Sequence, residues 1–187
     1  LCPASVWKLS TTSAALKVLG ADFRFSTPLV YSGKIEDGIL HGDLLIIGSG
    51  DPTLGSNHFG SDLSQVMDTF VNMVKEAGID SISGNVIGNG AHLQGQSIPG
   101  TRLWEDMGNY YGAGIHGLNM NDNTYFVSFS TPGEPGNQAK ITDVFPKVPD
   151  LRIESEVKSS TIESDQAYIF GSPLDSRRIV RGTLPAG

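Results

Sequence analysis

Glycine and proline punctuate this chain so often that no long element can form. There are 23 glycines and 10 prolines among 187 residues, so a breaker falls about every sixth position. Inside a helix a glycine costs about 1 kcal/mol relative to alanine and a proline about 3 kcal/mol. Short strands, many turns and few helices are the outcome to expect, and a helical bundle is excluded. Two stretches read as helix. Residues 3–19 begin with Pro3, which suits a first helical position. They carry Val6, Leu9, Leu16 and Leu19 at roughly helical spacing and stop at Gly20. Residues 62–77 form an apolar stripe of Leu63, Val66, Met67, Phe70, Met73, Val74 and Ala77, with Ser61 as the expected N-cap and Gly78 as the stop.

The remainder reads as strand and turn. Phe23 to Tyr31 is extended, with an interruption at Pro28. Gly33 to Gly38 is a hairpin-like turn region, because Asp37-Gly38 supplies positive φ cheaply. The continuous run Leu44-Leu45-Ile46-Ile47 fits a strand buried on both faces. Ile79 to Gly88 reads as turn then strand. Residues 123–130 alternate, with Tyr125, Val127 and Phe129 on one side. Further strands are expected at 139–145, 151–158, 167–170 and 177–180, and Leu184 to Gly187 reads as a loop-like tail. Helix, strands, helix, then mostly strands predicts an α+β fold.

Composition excludes several partners. Twenty acidic against 13 basic residues leave a charge of −7, which argues against nucleic acid and anionic membrane surfaces. The 39% apolar content supplies a packed core, and no apolar run approaches the roughly 18 residues that span a bilayer. Cys2 is the single cysteine, so there is no internal disulfide framework and no cysteine zinc site. It is expected to be a packed helix-entry residue. His41, His58, His92 and His116 have no metal-ligand spacing, and no cofactor is expected. Gly48 to Thr53 could be mistaken for a phosphate loop, but no Gly-Lys-Ser/Thr follows, so it is read as a structural turn.

Ser5-Val6-Trp7-Lys8 lies on the first predicted helix, where positions i and i+3 are neighbours. A lysine with a lowered pKa can take the proton of such a serine and activate it as a nucleophile. Serine acyl-transfer enzymes use Ser-x-x-Lys in this way. With 20 serines and 7 lysines, about 0.75 such pairs arise by chance, so the alternative is an ordinary helix serine beside a solvated lysine. A second match, Ser155-Glu156-Val157-Lys158, falls in an alternating strand pattern that sends i and i+3 to opposite faces. It is read as a decoy.

Longer motifs add what Ser-x-x-Lys lacks. Pro3 to Leu16 resembles the active-site helix of penicillin-binding proteins. Gly38 to Leu54, with its Gly48-Ser49-Gly50-Asp51-Pro52-Thr53-Leu54 block, resembles one subgroup, the class C low-molecular-mass D-alanyl-D-alanine carboxypeptidases, which also act as endopeptidases. Trp104-Glu105-Asp106-Met107, Tyr110-Tyr111-Gly112-Ala113 and Leu118-Asn119-Met120-Asn121-Asp122-Asn123 are similar to that subgroup too. The resemblance covers nearly the whole chain in order.

It implies a transpeptidase-like domain split after the Ser-x-x-Lys helix by a long α+β insertion. Residues 1–27 are then a piece of the split catalytic domain, and residues 28–187 are the inserted region, in one or two small subdomains. It also implies a serine hydrolase of the cell wall, acting outside the cytoplasmic membrane on peptidoglycan stem peptides and inhibited by β-lactams. Ser5 would be the nucleophile and Lys8 the base. Asp106 would meet the amino group of a diamino acid in the stem peptide, with Tyr111 lining that pocket; the alternative is that Asp106 only caps a local turn. An exposed carboxylate between aromatic walls suits an ammonium on an aliphatic stem. No Lys-Thr-Gly occurs in the chain, and Ser83-Gly84-Asn85 sits between a turn and a strand, so it is read as structural. The abrupt ends and these missing motifs predict a fragment that is inactive alone. A β-lactamase relative and a non-catalytic cell-wall-binding module are the competing readings. The first is disfavoured because β-lactamases place the second motif sooner after Ser-x-x-Lys.

Overall fold

The computed structural model describes residues 3–173 and 175–187; Cys2 lies outside them. A 3₁₀ turn at Ala4–Val6 leads into helix α1, Trp7–Leu19, which ends at Gly20 with φ 85°. Strands β1 (Leu29–Tyr31), β2 (Lys34–Glu36), β3 (Ile39–His41) and β4 (Leu44–Ile47) follow. Then come α2 (Leu63–Glu76), β5 (Ser81–Ile82) and β6 (Val86–Asn89). A long stretch of turns leads to β7 (Phe126–Ser130), β8 (Lys140–Phe145), β9 (Arg152–Ser155) and β10 (Lys158–Ser160). The last strands are β11 (Tyr168–Phe170), β12 (Arg177–Arg181) and β13 (Thr183–Pro185). The fold is α+β, as the element order predicted.

Two small sheets flank α2. In one, β4 pairs antiparallel with β1 and parallel with β6; in the other, β3 pairs antiparallel with β2 and parallel with β5. Parallel neighbours cannot be joined by a hairpin, and α2 is the crossover that lets β5 and β6 return beside β3 and β4. Leu40, Leu44 and Ile79 are buried between these elements, with Leu29, Ile35, Val74 and Ile82 packed around them. A second cluster lies in the following half: Ala139, Val157 and Val180 are buried, surrounded by Phe129, Ile153, Ala167, Ile169 and Leu184. There β12 sits between β11 and β9, β7 pairs with β8, and β10 runs parallel to β13.

Five local expectations are corrected. The N-cap of α2 is Asp62, not Ser61: its carboxylate accepts the Gln65 N–H at 2.9 Å while the Gln65 side chain accepts the Asp62 N–H at 3.3 Å. That reciprocal pair satisfies two otherwise orphaned donors, which a serine one position earlier cannot do. The stripe of α2 is buried only along one flank. Val66 is buried, and Leu63, Phe70 and Val74 are half-buried, whereas Met67, Met73 and Ala77 face solvent. Within Gly33 to Gly38 only Asp37-Gly38 is turn; Lys34–Glu36 is β2, because Ile35 has Leu40 opposite it across the hairpin. The tail contains β13, held by register with β10 that local sequence does not encode. Phe23 to Thr27 contribute no strand, and β1 begins only at Leu29.

The Gly48–Leu54 loop is clamped by the later segment His116–Asn123. Gly48 N–H donates to Asn89 O at 2.9 Å and Gly50 N–H to Gly117 O at 2.7 Å; Asn121 N–H donates to Leu54 O at 2.9 Å. The Asp51 carboxylate accepts from the Thr53 N–H and hydroxyl at 2.8 and 2.7 Å, an Asx turn. A Cβ on Gly48 would lie 2.2 Å from Gly117 O, and one on Gly117 would lie 2.2 Å from Gly90 O. All the nearest atoms at those two sites are backbone, which cannot step aside as a side-chain tip can. Gly48→Ala should therefore lower stability by about 2 kcal/mol or more. Gly133→Ala, where nothing lies within 4 Å, should stay within about 0.5 kcal/mol of wild type. Urea unfolding midpoints check this, and equal midpoints for the two variants would contradict the close approach.

Candidate functional site

Ser5 and Lys8 lie on one helical run, Ser5 in the 3₁₀ turn and Lys8 in the first turn of α1. Both are exposed. Ala4, directly before Ser5, has φ 46°. Alanine rarely occupies that left-handed region, and such strain costs of the order of 1–3 kcal/mol. Everything from Pro3 to Ser26 is exposed. Val6, Leu9 and Val18 are 67%, 70% and 80% accessible, and Trp7, Leu16 and Leu19 are open as well. The apolar residues of the helical pattern are in water. The serine and lysine are thus carried on a helix whose apolar surface is left open among the described residues.

Asp106 and Tyr111 are brought together elsewhere. Leu103 to Gly112 is a succession of tight turns: Asp106 N–H donates to Leu103 O, Asn109 N–H to Asp106 O and Gly112 N–H to Asn109 O, at 3.1, 3.1 and 2.8 Å. The Asn109 amide adds a bond to Glu105 O at 2.9 Å. Among the described residues, no backbone N–H donates to the Asp106 side chain, so Asp106 is not the cap of this turn. Its carboxylate lies near Tyr111 instead. That phenol is held above the ordinary tyrosine value, first through local desolvation and then through the nearby negative charge of Asp106. The Arg102 guanidinium holds the Tyr111 carbonyl at 3.4 Å.

A distant strand backs this loop. A Cβ on Gly108 would lie 1.6 Å from Ile169 O, so the loop rests directly on the backbone of β11. Trp104 stacks on Phe170 with ring centroids 6.4 Å apart and planes 23° apart. Tyr110 and Tyr111 meet edge to face at 5.3 Å. Tyr168 lies on the same face of β11 as Phe170, and its phenol is near enough to raise the Tyr111 pKa in a minor way. Sequence reasoning named Trp104 only within its motif and missed Tyr168 and Phe170. The available signal was the aromatic-aliphatic-aromatic alternation of Tyr168-Ile169-Phe170, which marks two rings on one face without saying what they meet.

A cleft of about 1060 Å³ includes Gly108, Tyr110, Ile169, Arg178, Tyr125 and His116 in its lining. Ser5, Lys8, Asp106 and Tyr111 do not line it. Burial pushes the Tyr125 phenol up, and the neighbouring Arg178 opposes that shift. Among the described residues no three His, Cys, Asp or Glu side chains are grouped as a metal site. Ser83-Gly84-Asn85 is a structural link: the Ser83 hydroxyl donates to Leu40 O at 3.1 Å, and the Asn85 N–H and amide donate to the Asp43 carboxylate at 2.8 and 3.0 Å. In the Ser155 to Lys158 string, Ser155 closes β9 and Lys158 opens β10.

The sequence profile of the D-Ala-D-Ala carboxypeptidase 3 (S13) family matches residues 1–187. Among curated proteins, D-alanyl-D-alanine carboxypeptidase DacB of Haemophilus influenzae is 27% identical over 138 residues, covering 74% of this chain and 27% of its own length. The D-alanyl-D-alanine carboxypeptidase of Actinomadura sp. strain R39 is 26% identical over 199 residues, covering 100% of this chain and 34% of its own. The chain thus spans about a quarter to a third of these relatives. The crystal structure of penicillin binding protein 4 (dacB) from Haemophilus influenzae superposes with a TM-score of 0.77 at 25% identity, covering 100% of this chain and 40% of that one. The same protein complexed with a β-lactam gives 0.62 at 26% identity, covering 99% and 37%.

The exposed helix makes a measurable claim. A helix of about 13 residues without tertiary packing is marginal in water. Amide hydrogens of residues 5–19 should exchange nearly as fast as in a free peptide, while those of β4 and β12 are protected towards the global limit. Strong protection of 5–19 in a monomer would mean the apolar face is covered after all.

Proposed function

The chain belongs to the D-Ala-D-Ala carboxypeptidase 3 (S13) family, and on that footing we propose that it is part of a serine-type D-Ala-D-Ala carboxypeptidase/endopeptidase acting on peptidoglycan stem peptides outside the cytoplasmic membrane. The observation that carries the reading is the family match along the whole chain, Ser5 and Lys8 included. Residues 1–27 serve as a piece of the catalytic domain and residues 28–187 as its insertion, whose two buried clusters fit two subdomains.

Ser5 attacks the carbonyl of the penultimate D-Ala. Its proton passes to the Lys8 amine and on to the nitrogen of the departing D-Ala. Water then attacks the ester, gives up a proton through the same amine and restores the Ser5 hydroxyl. Lysine acts as a base only as the free amine, and removal from water favours that form. Lys8 is exposed here, so the desolvation has to come from parts of the enzyme that cover α1. The Ser5 N–H supplies one oxyanion donor, and preorganised donors of this kind are worth about 2.7–4 kcal/mol each. The second is assigned to a Lys-Thr-Gly strand, a motif this chain does not contain. A β-lactam acylates Ser5 in the same way, which accounts for inhibition. Asp106 and Tyr111 receive the side-chain ammonium of a diamino acid in the stem peptide.

Two outcomes check this. In the complete enzyme, Ser5→Ala should abolish labelling by a fluorescent penicillin, and the 187-residue chain alone should not form a stable adduct; retention of label by Ser5→Ala would remove the assignment. Asp106→Ala should lower the ratio of kcat/KM for a diaminopimelate-bearing peptide to that for a plain acyl-D-Ala-D-Ala peptide by about tenfold, as expected for loss of a charge-assisted hydrogen bond. An unchanged ratio would show that Asp106 does not read the side chain.

A further inference from the structure

Strand β12 carries three arginines, and two of them are paired. Arg177 donates to the Glu154 carboxylate at 2.9 Å, and Arg181 to that of Glu156 at 2.8 and 3.2 Å. Both lie on the outward face of the strand. Arg178 lies on the other face, the one that carries the buried Val180. Among the described residues no carboxylate forms a salt bridge with it. Its guanidinium is nevertheless fixed. Nη1 donates to Asp175 O and to Arg177 O, the latter at 2.8 Å. A Cβ on Gly171 would lie 2.5 Å from Arg178 Cδ, so the side chain is laid across that glycine. Arg178 is half-buried. A half-buried charge with no counter-charge is unfavourable, and an anion that reaches it relieves the penalty.

Arg178 lines the cleft of about 1060 Å³ and is the single Lys or Arg to do so. Ligand pockets run from roughly 300 to 1,000 Å³, so there is room for several residues of peptide. Tyr125 shares the lining, and its phenol feels the Arg178 charge. One guanidinium matches one carboxylate through two parallel hydrogen bonds, whereas a di- or triphosphate would meet no second cation here. The walls favour an extended chain. Strand β7 is paired only with β8, and β13 only with β10. Val127 of the first and Leu184 of the second line the cleft, and the Thr131 hydroxyl ties the two segments by donating to Gly187 O at 3.0 Å. A strand with one unpaired edge is what an extended peptide adds to. We propose that this cleft is a second binding site, for an extended peptide whose free carboxylate pairs with Arg178. It is separate from the contacts assigned to Asp106 and Tyr111, neither of which lines it, and it does not depend on Ser5 or Lys8 being catalytic.

The test uses the complete enzyme saturated with a β-lactam, so that the active site is closed and no probe is turned over. The probes are Nα,Nε-diacetyl-Lys-D-Ala-D-Ala with its C-terminal carboxylate and the same peptide as its C-terminal amide. Titration calorimetry should give a Kd for the acid about tenfold below that for the amide. Arg178→Gln should erase the difference by weakening the acid alone. Arg152→Gln, which removes an exposed arginine from neighbouring β9, should keep it. A variant that folds poorly lowers the binding stoichiometry and leaves the ratio of the two affinities intact. Methyl signals of Val127 and Leu184 should also move as the acid is added to the wild type. Absence of binding, equal affinity for acid and amide, or methyl signals that stay still would each overturn the site, with no variant needed. A tenfold preference that survives Arg178→Gln would overturn Arg178 as the partner of the carboxylate.

Discussion

Three glycines at backbone contact tie together the ends of β4 and β6 and the segment before β7. Gly48 at the end of β4 meets Gly117, and Gly117 meets Gly90 just after β6. A side chain at either meeting point would drive two carbonyls apart. Around that contact, Gly50 and Leu54 are bonded to Gly117 and Asn121, so the loop after β4 and the segment before β7 form one unit. The asparagines of that segment close it from within. The Asn119 side-chain oxygen Oδ1 accepts from His116 N–H at 3.0 Å and from the Asn123 side-chain amide at 2.6 Å. Asn121, Asp122 and Asn123 all have positive φ, between 51° and 55°. Asn and Asp tolerate that region better than other non-glycine residues. Both motifs therefore serve the architecture: they bind the loop after β4 to the segment before β7.

Much of the fold was legible because it is local. Gly20 stops α1, Leu44 to Ile47 form a strand, and alternation at 123–130 places Val127 and Phe129 on the half-buried side of β7. Misreadings occur where a partner far along the chain decides. Lys34–Glu36 looks like turn until Ile39–His41 folds back on it, and Thr183–Pro185 looks like tail until Lys158–Ser160 takes it as a neighbour. Met67 and Met73 read as core on a helical wheel, but both are exposed. The choice of Asp62 over Ser61 turned on Gln65, three residues beyond the aspartate, a capping-box pattern present in the sequence.

The candidate site divides in the same way. Ser5, Lys8, Asp106 and Tyr111 were named from motifs, and the structure puts Asp106 beside Tyr111 because five residues of turn close on themselves. Phe170 could not be named that way, since only the packing of Gly108 on β11 brings it under Trp104. The helix bearing Ser5 shows the converse. Its sequence periodicity is that of a packed helix, yet its apolar residues are accessible, so the pattern records contacts that the elements described here do not make.

The parallel pairings have a consequence for the order in which the molecule is made. Arg152 of β9 finds its partner only at Arg177, 25 positions later (177 − 152), and Ile39 of β3 finds Ser81 after 42 (81 − 39). Non-local pairing of this kind slows folding, since loop closure precedes any gain from the contact. At about 5–20 residues per second of synthesis, β9 waits for seconds as an unpaired edge before β12 emerges, and β10, bridged to Gln138, waits for β13. Unpaired edges invite pairing with other chains. The charges that line those strands, Arg152 and Glu154 on one and Lys158 on the next, are solvent-exposed even in the finished fold, where they guard a waiting period as much as a final structure.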